Sequence, residues 1–400
     1  MFGTYAQIKA VEESSYGITP ASALQSINVS GIKMPQNRKR GKPDVLTGDR
    51  RRYPSRILQK SGEGLSLPMP WQYQNDLLFL EGLLGNTRGS LVTVTGSTIG
   101  FTTGSPDKIE DSADGYASIL TGDMIFVTGA GAGANADKWF GPVTKTDAGE
   151  LTVPAGQIVN QAAGGSVTIR TRRLIDGTTL KSYSIEYQLT KLTTMFRNAV
   201  GQRVKSGKFS WKQGEFVTAE YMLSGKTPNK AAATIGTGAD TAAPTTGFLN
   251  AVDDLRQIFI GGYGTTLNAM TMSSWEMNIE NMLELIYGLG NVGPSKVDVG
   301  AFDATLDVSI LMEDAVKDLL DAQQTDETLY AFWNQTDPQG NHLCWCLPAL
   351  RVDVDDVPVD KADSLVNVNA KFYAHDPAKD ADSPLGQAIP YQAGLFFCPL

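Results

Sequence analysis

The chain has 400 residues, a formal charge of -9, 42% apolar residues and 19% charged residues. That is long for a single core and ordinary for a folded protein, and with no run of about 18 apolar residues no membrane-spanning helix is predicted. Forty-one glycines against 34 Lys and Arg suit many short strands joined by Gly, Thr, Asn and Asp turns.

In chain order, MFGTYAQIKAVEE lacks a basic start followed by an apolar stretch, so no secretion signal is predicted and synthesis in a cytoplasm is expected. SINVSGI (26–32) reads as the first strand. NRKRGKPDVLTGDRRRYPSR (37–56) then carries eight basic and two acidic side chains, net +6, against -15 for the remainder. LSLPMPW (65–71) alternates as a strand does, but two prolines cannot donate ladder hydrogen bonds, which predicts an edge strand. NDLLFLEGLLG (75–85) predicts a short helix with Asn75 as cap and Gly85 as stop.

Residues 90–171 hold GDMIFVTG, ELTVPAG and GGSVTIRT, short apolar runs bounded by glycine, and read as an inserted all-β module. YSIEYQL (183–189) alternates, and further strands are predicted near 203–211 and 215–223. KTPNKAAATIGTGADTAAPTT (226–246) is poor in large apolar residues and reads as a linker. Beyond it, WEMNI (275–279) and FDATLDVSI (302–310) predict half-buried strands, because side chains alternate faces with period two. A helix is predicted over 312–333, then strands near 343–347, 350–354 and 364–374.

The order of elements repeats: strand, long loop, strand, helix, then three strands. Residues 24–89 with 172–225 form one copy and 271–395 the other, which predicts a duplicated domain. The expected division is a discontinuous first domain (1–89 and 172–225), the insert (90–171), a linker and connecting segment (226–270), and a second domain (271–400).

No chemistry is nominated. His342 and His375 stand apart, outside any nucleophile or metal motif. Cys344, Cys346 and Cys398 form no disulfide framework and are expected as reduced structural thiols. GAGAGANADKW (129–139) lacks the G-K-[ST] ending of a phosphate loop, and carboxylate-rich DVDDVPVDKAD (353–363) lacks EF-hand spacing. No catalytic residue, cofactor or metal is expected, and the protein is not read as an enzyme.

A duplicated, acidic β protein without chemistry suggests a structural subunit, and several stretches carry a resemblance. QIKAVEESSYGITPASALQSINVSG, with Gly-x-Thr-Pro after an acidic stretch, is similar to the opening of the major tail tube proteins of long, non-contractile bacteriophage (siphophage) tails. LTGDMIFVTG and ELTVPAGQIVNQAAGGSVTI resemble that family's inserted β module. DGTTLKSYSIEYQL resembles the strand after it, and VKSGKFSWKQGEFVTAEYMLSG the hairpin closing the first tube domain. The resemblance implies a mainly β fold: duplicated tail-tube-type β-sandwich domains, each with a flanking α-helix, plus the small inserted module. It further implies a virion protein whose rings stack into a tube, the conduit for genomic DNA, which passes without specific binding. Partners implied are copies of itself, the tape measure protein, the tail terminator and the distal tail protein, with no membrane. Two copies per chain predict a homotrimeric, pseudo-sixfold ring, the alternative being a homohexamer with the second copy outside the tube. A capsid, tail-decoration or adhesion protein is the alternative function.

The basic segment falls where the resemblance places a long loop reaching an adjacent ring. Arg38, Lys39, Arg40, Arg50, Arg51, Arg52 and Arg56 are the candidate contact residues, since the planar guanidinium pairs bidentately with carboxylates. A solvated loop and a phosphate grip are the competing readings, though a lumen through which DNA slides should not hold phosphates.

Overall fold

The computed structural model describes residues 6–43, 53–131, 133, 135–190, 195–262, 271–311, 314–355, 367–380 and 389–398. Strands β1 (Ala6–Glu13), β2 (Gln25–Ile27), β3 (Asn37–Gly41), β4 (Arg56–Ser61) and β5 (Leu65–Pro70) lead to helix α1 (Leu77–Leu84). The next stretch holds β6 (Val92–Gly96), β7 (Ile99–Thr102), β8 (Asp107–Asp111), β9 (Ile125–Thr128), β10 (Lys138–Phe140), β11 (Thr144–Lys145), β12 (Glu150–Val153) and β13 (Val167–Thr171). The chain returns through β14 (Arg173–Ile175), β15 (Ser182–Leu189), β16 (Phe196–Lys212), β17 (Thr218–Ser224) and β18 (Asn229–Ala231). The remainder runs β19 (Leu255–Gly262), β20 (Met272–Asn281), β21 (Glu284–Ile286), β22 (Lys296–Asp298) and β23 (Phe302–Leu311), then helix α2 (Asp314–Thr325). It closes with β24 (Leu329–Thr336), β25 (His342–Val354), β26 (Asn367–Ala374) and β27 (Gly394–Cys398).

The fold is mainly β, and period-two alternation becomes burial. In β23, Ala304, Leu306, Val308 and Ile310 are buried, and in β26 Val368, Ala370 and Phe372 are, with the residues between them turned outward. Two antiparallel ladders have the same order. One runs β1–β15–β16–β17–β5 and then residues 30–33, where Ser30 N–H donates to Pro68 O and Lys33 pairs with Ser66. The other runs β19–β24–β25–β26–β23–β20. Residues 206–212 of β16 pair with 274–280 of β20, joining the ladders into one sheet.

Among the strands β5 pairs only β17, the edge position its prolines suit; residues 30–33 touch its other side through Ser30 N–H to Pro68 O and the Lys33–Ser66 bridge. Three local expectations are corrected. Asn75 does not cap α1: its side chain binds the backbone of Asn28 on both sides (2.9 and 3.0 Å), Asp76 is the cap position, and Gly85 ends the helix at φ 62°. The helix expected over 312–333 is α2 only as far as Thr325; Asp326 turns left-handed (φ 53°), and Leu329–Thr336 is a strand whose Tyr330 and Trp333 enter the core. The strands expected at 343–347 and 350–354 are one strand, β25, with a bulge opposite β24 between Leu347 and Leu350 that absorbs Pro348.

The main core is continuous across both ladders. Trp71 packs on Phe209 (5.3 Å between ring centroids) and Trp345 (5.9 Å), and Trp333 on Trp211 (5.6 Å) and Trp275 (4.8 Å). Each buried indole removes about 150–250 Å² from water, roughly 4–6 kcal/mol of transfer free energy. Within it Asp76 is 1% exposed, accepting from Gln72 N–H (2.8 Å) and Tyr221 O–H (3.1 Å), and burial pushes its carboxyl up to about 7.

Residues 90–171 have a core of their own, between the sheets β10–β9–β13–β6 and β11–β12–β8–β7. Met124, Phe126 and Trp139 seat this unit on Tyr330, Phe332 and Phe396, and Phe126 stacks on His342 at 4.0 Å. The glycine-rich 129–137 joins β9 to β10. Residues 226–246 are strapped down rather than loose: Glu186 accepts from Thr234 and Ile235 (both 2.8 Å), Thr241 exchanges backbone bonds with Leu24 and Ser26, and Lys9 meets Asp240.

Candidate assembly surface

The basic segment is a hairpin. β3 and β4 pair antiparallel, with Arg38 opposite Lys60 and Arg40 opposite Ile57. Arg38, Lys39 and Arg40 lie exposed on β3 and Arg56 exposed on β4, whereas Arg50, Arg51 and Arg52 fall outside the described residues. Arg38 donates to Gln36 Oε1 (2.8 Å), and among the described residues none of the four has a carboxylate partner. Like charges crowded without counter-ions repel, and the hairpin bears that cost in the isolated chain.

Its base is fixed. Asn37 Nδ2 donates to Glu63 O (2.7 Å), Gln36 Nε2 to Pro228 O (2.7 Å) and Arg197 Nη2 to Met34 O (2.9 Å). A second hairpin, β21–β22, lies alongside, with Lys60 N–H donating to Val292 O at 2.7 Å. It exposes Ile286, Leu289 and Val292, apolar side chains that find no cover among the described residues.

The outward face of the shared sheet is polar, with carboxylates outnumbering the exposed lysines Lys208, Lys212 and Lys371. Glu276 and Glu280 on β20, Asp303 and Asp307 on β23, and Asp353 on β25 point away from the core, and Lys208 of β16 meets Glu276 at 2.7 Å. Among the described residues the sheet has an unused edge: just past β25, Asp355 N–H bonds Asn369 O on β26, while Val354 N–H points the other way and meets only Gln323 Oε1 (3.3 Å).

Nothing else gathers reactive groups. Among the described residues no cluster of His, Cys, Asp and Glu could hold a metal. His342 is lowered by burial, and His375 is bound to Asp380 (2.9 Å). Cys344, Cys346 and Cys398 are buried free thiols, and burial raises the Cys346 thiol to about 12 and Cys398 to about 11, so neither is a thiolate nucleophile at neutral pH.

The described residues thus form a strand-rich body with an open β25 edge and a basic hairpin fixed at its base. A family model described as phage tail tube protein matches residues 3–374, and the chain belongs to that family. It is accordingly a structural component of the virion tail that assembles with itself and other tail proteins. No curated protein matches the chain.

Proposed function

We propose that the chain is the major tail tube subunit of a siphophage, and that three chains close a ring in which each supplies two equivalent tube domains. The carrying observation is the doubled ladder: β1, β15, β16, β17, β5 and residues 30–33 correspond one for one to β19, β24, β25, β26, β23 and β20. The correspondence extends to side chains. Leu65, Leu67 and Met69 match Leu306, Val308 and Ile310 as inward residues, and Ala219, Tyr221 and Leu223 match Val368, Ala370 and Phe372. A bulge between Ala199 and Gln202 recurs between Leu347 and Leu350. On this reading the second copy begins at β19, inside the stretch expected as a connecting segment.

Rings stack into the tube through which the genome leaves, and the acidic outward sheet face lines a lumen that repels phosphate. The β3–β4 hairpin clamps the adjacent ring, its unpaired cations meeting carboxylates there, while residues 90–171 decorate the outside. Tape measure, terminator and distal tail proteins bound the tube. The test is electron microscopy of purified, concentrated protein with and without added salt. Hollow tubes that shorten as ionic strength rises support the reading, because screening confines charge interactions to about 8–10 Å. Monomers under all conditions overturn it.

A further inference from the structure

We propose that the joint between neighbouring chains repeats the intrachain β16–β20 joint with its charges reversed: residues 33–37 of one chain add as a strand to the free edge of β25 in the next, and Lys33 pairs with Asp355. This rests on the two-copy reading above. Within one chain, β16 receives β20, and Lys208 on the receiving strand meets Glu276 on the added strand at 2.7 Å. Matching the ladders by register places Asp355 at the position of Lys208 and Lys33 at that of Glu276. A cation on the receiving strand becomes an anion, and an anion on the added strand becomes a cation. Lys33 and Asp355 are both exposed, and among the described residues neither has an ion-pair partner.

The grooves give an independent indication. Where β20 joins β16, a groove of about 240 Å³ is floored by Ile258, Met272 and Trp275 and walled by Trp211–Gln213 from the end of β16. The matching floor in the first copy, Ile8, Val29 and Ile32, lines a groove of about 650 Å³. No segment among the described residues supplies its matching wall. Among the described residues the first copy thus presents an added strand without a receiver, and the second a receiver without an added strand. A second copy of this chain satisfies both.

Reversed charge also explains why the joints do not exchange. An added strand carrying Lys33 would meet Lys208 at the β16 edge, and one carrying Glu276 would meet Asp355 at the β25 edge, so each wrong pairing sets like charges together.

The test pairs Asn37→Cys with Asp353→Cys, positions the same register sets directly opposite across the joint, where Cβ atoms lie about 4.5–5.5 Å apart. The native thiols are buried, so background oxidation is low. Mild oxidation of assembled protein should give covalent dimers and trimers on a non-reducing gel that neither single variant gives. Tubes that form without cross-linked product overturn the joint while leaving the tube reading intact; a wild-type chain that never forms tubes overturns the tube reading itself. Should the cysteine pair fail to assemble, charge reversal decides. Lys33→Glu or Asp355→Lys alone should raise the concentration needed for assembly by roughly fivefold or more. The double reversal should return it to near wild type, and no rescue overturns the proposal.

Discussion

The two ladders are built alike and used differently. In the second, α2 passes to β24 after three residues, whereas in the first α1 is separated from β15 by residues 85–181, of which 90–171 have a core of their own. The segment leaves and re-enters next to the α1 stop: Gly89 N–H bonds Arg173 O (2.8 Å) and Gly177 N–H bonds Leu84 O (2.8 Å). On the two-copy reading the ladder and helix are the repeated unit, and the loops between are where the copies diverge. On that reading the added strand of the second copy, β20, is satisfied inside the chain by β16, while residues 33–37 meet no receiving strand among the described residues.

The comparison breaks most readily at the core the copies share. Trp333→Ala, which removes the ring between Trp211 of one ladder and Trp275 of the other, should cost about 3–5 kcal/mol. Because both ladders close on that core, urea denaturation should shift as one transition. Two resolved transitions, with only one displaced, would show that the copies fold independently.

A somewhat smaller effect separates the copies by pH. Asp76 belongs to the first ladder only, and its carboxyl titrates at about 7 when folded against 3.8 when unfolded. Between those values the folded state holds the proton and the unfolded state does not, so this group's contribution falls as pH rises from about 4 to about 7 and is flat above. Asp76→Asn cannot ionise, so its melting temperature relative to wild type should climb across that interval in calorimetry. A constant difference would contradict the assignment.

Least in size, the helix stops differ: α1 ends in Gly85 and α2 in Asp326, both left-handed. Asp326→Gly should stabilise by up to about 1 kcal/mol, and Gly85→Ala should destabilise by at least that much, since its Cβ would also meet Gly177 O at 2.8 Å. The pair of variants, measured by denaturant midpoint, should move in opposite directions.

Much of this was legible in the sequence where burial is one-sided. FDATLDVSI and VNVNAKF declared their inward faces because only one side of those strands is buried. SYSIEYQL did not declare its whole environment, since Ser182, Ser184 and Glu186 are buried on the other face through bonds to Glu13, Thr234 and Ile235 from distant segments. The end of α2 was overrun because LYAFW carries residues that suit a helix as well as a strand, and only the left-handed Asp326 separates them. Composition marked the basic hairpin but passed over Lys33, and it marked the carboxylate-rich 353–363 without setting Asp355 apart from its neighbours. What singles them out is register, and register exists only once strands are paired.

The most direct measurement is a reconstruction of the assembled tube by electron cryo-microscopy, resolved well enough to trace chains within one ring. The account predicts three chains per ring, with β1–β5 and β19–β26 bodies alternating around six positions and β25 of each chain paired to residues 33–37 of the next. Six chains per ring, with the second ladder lying outside the wall, would contradict it.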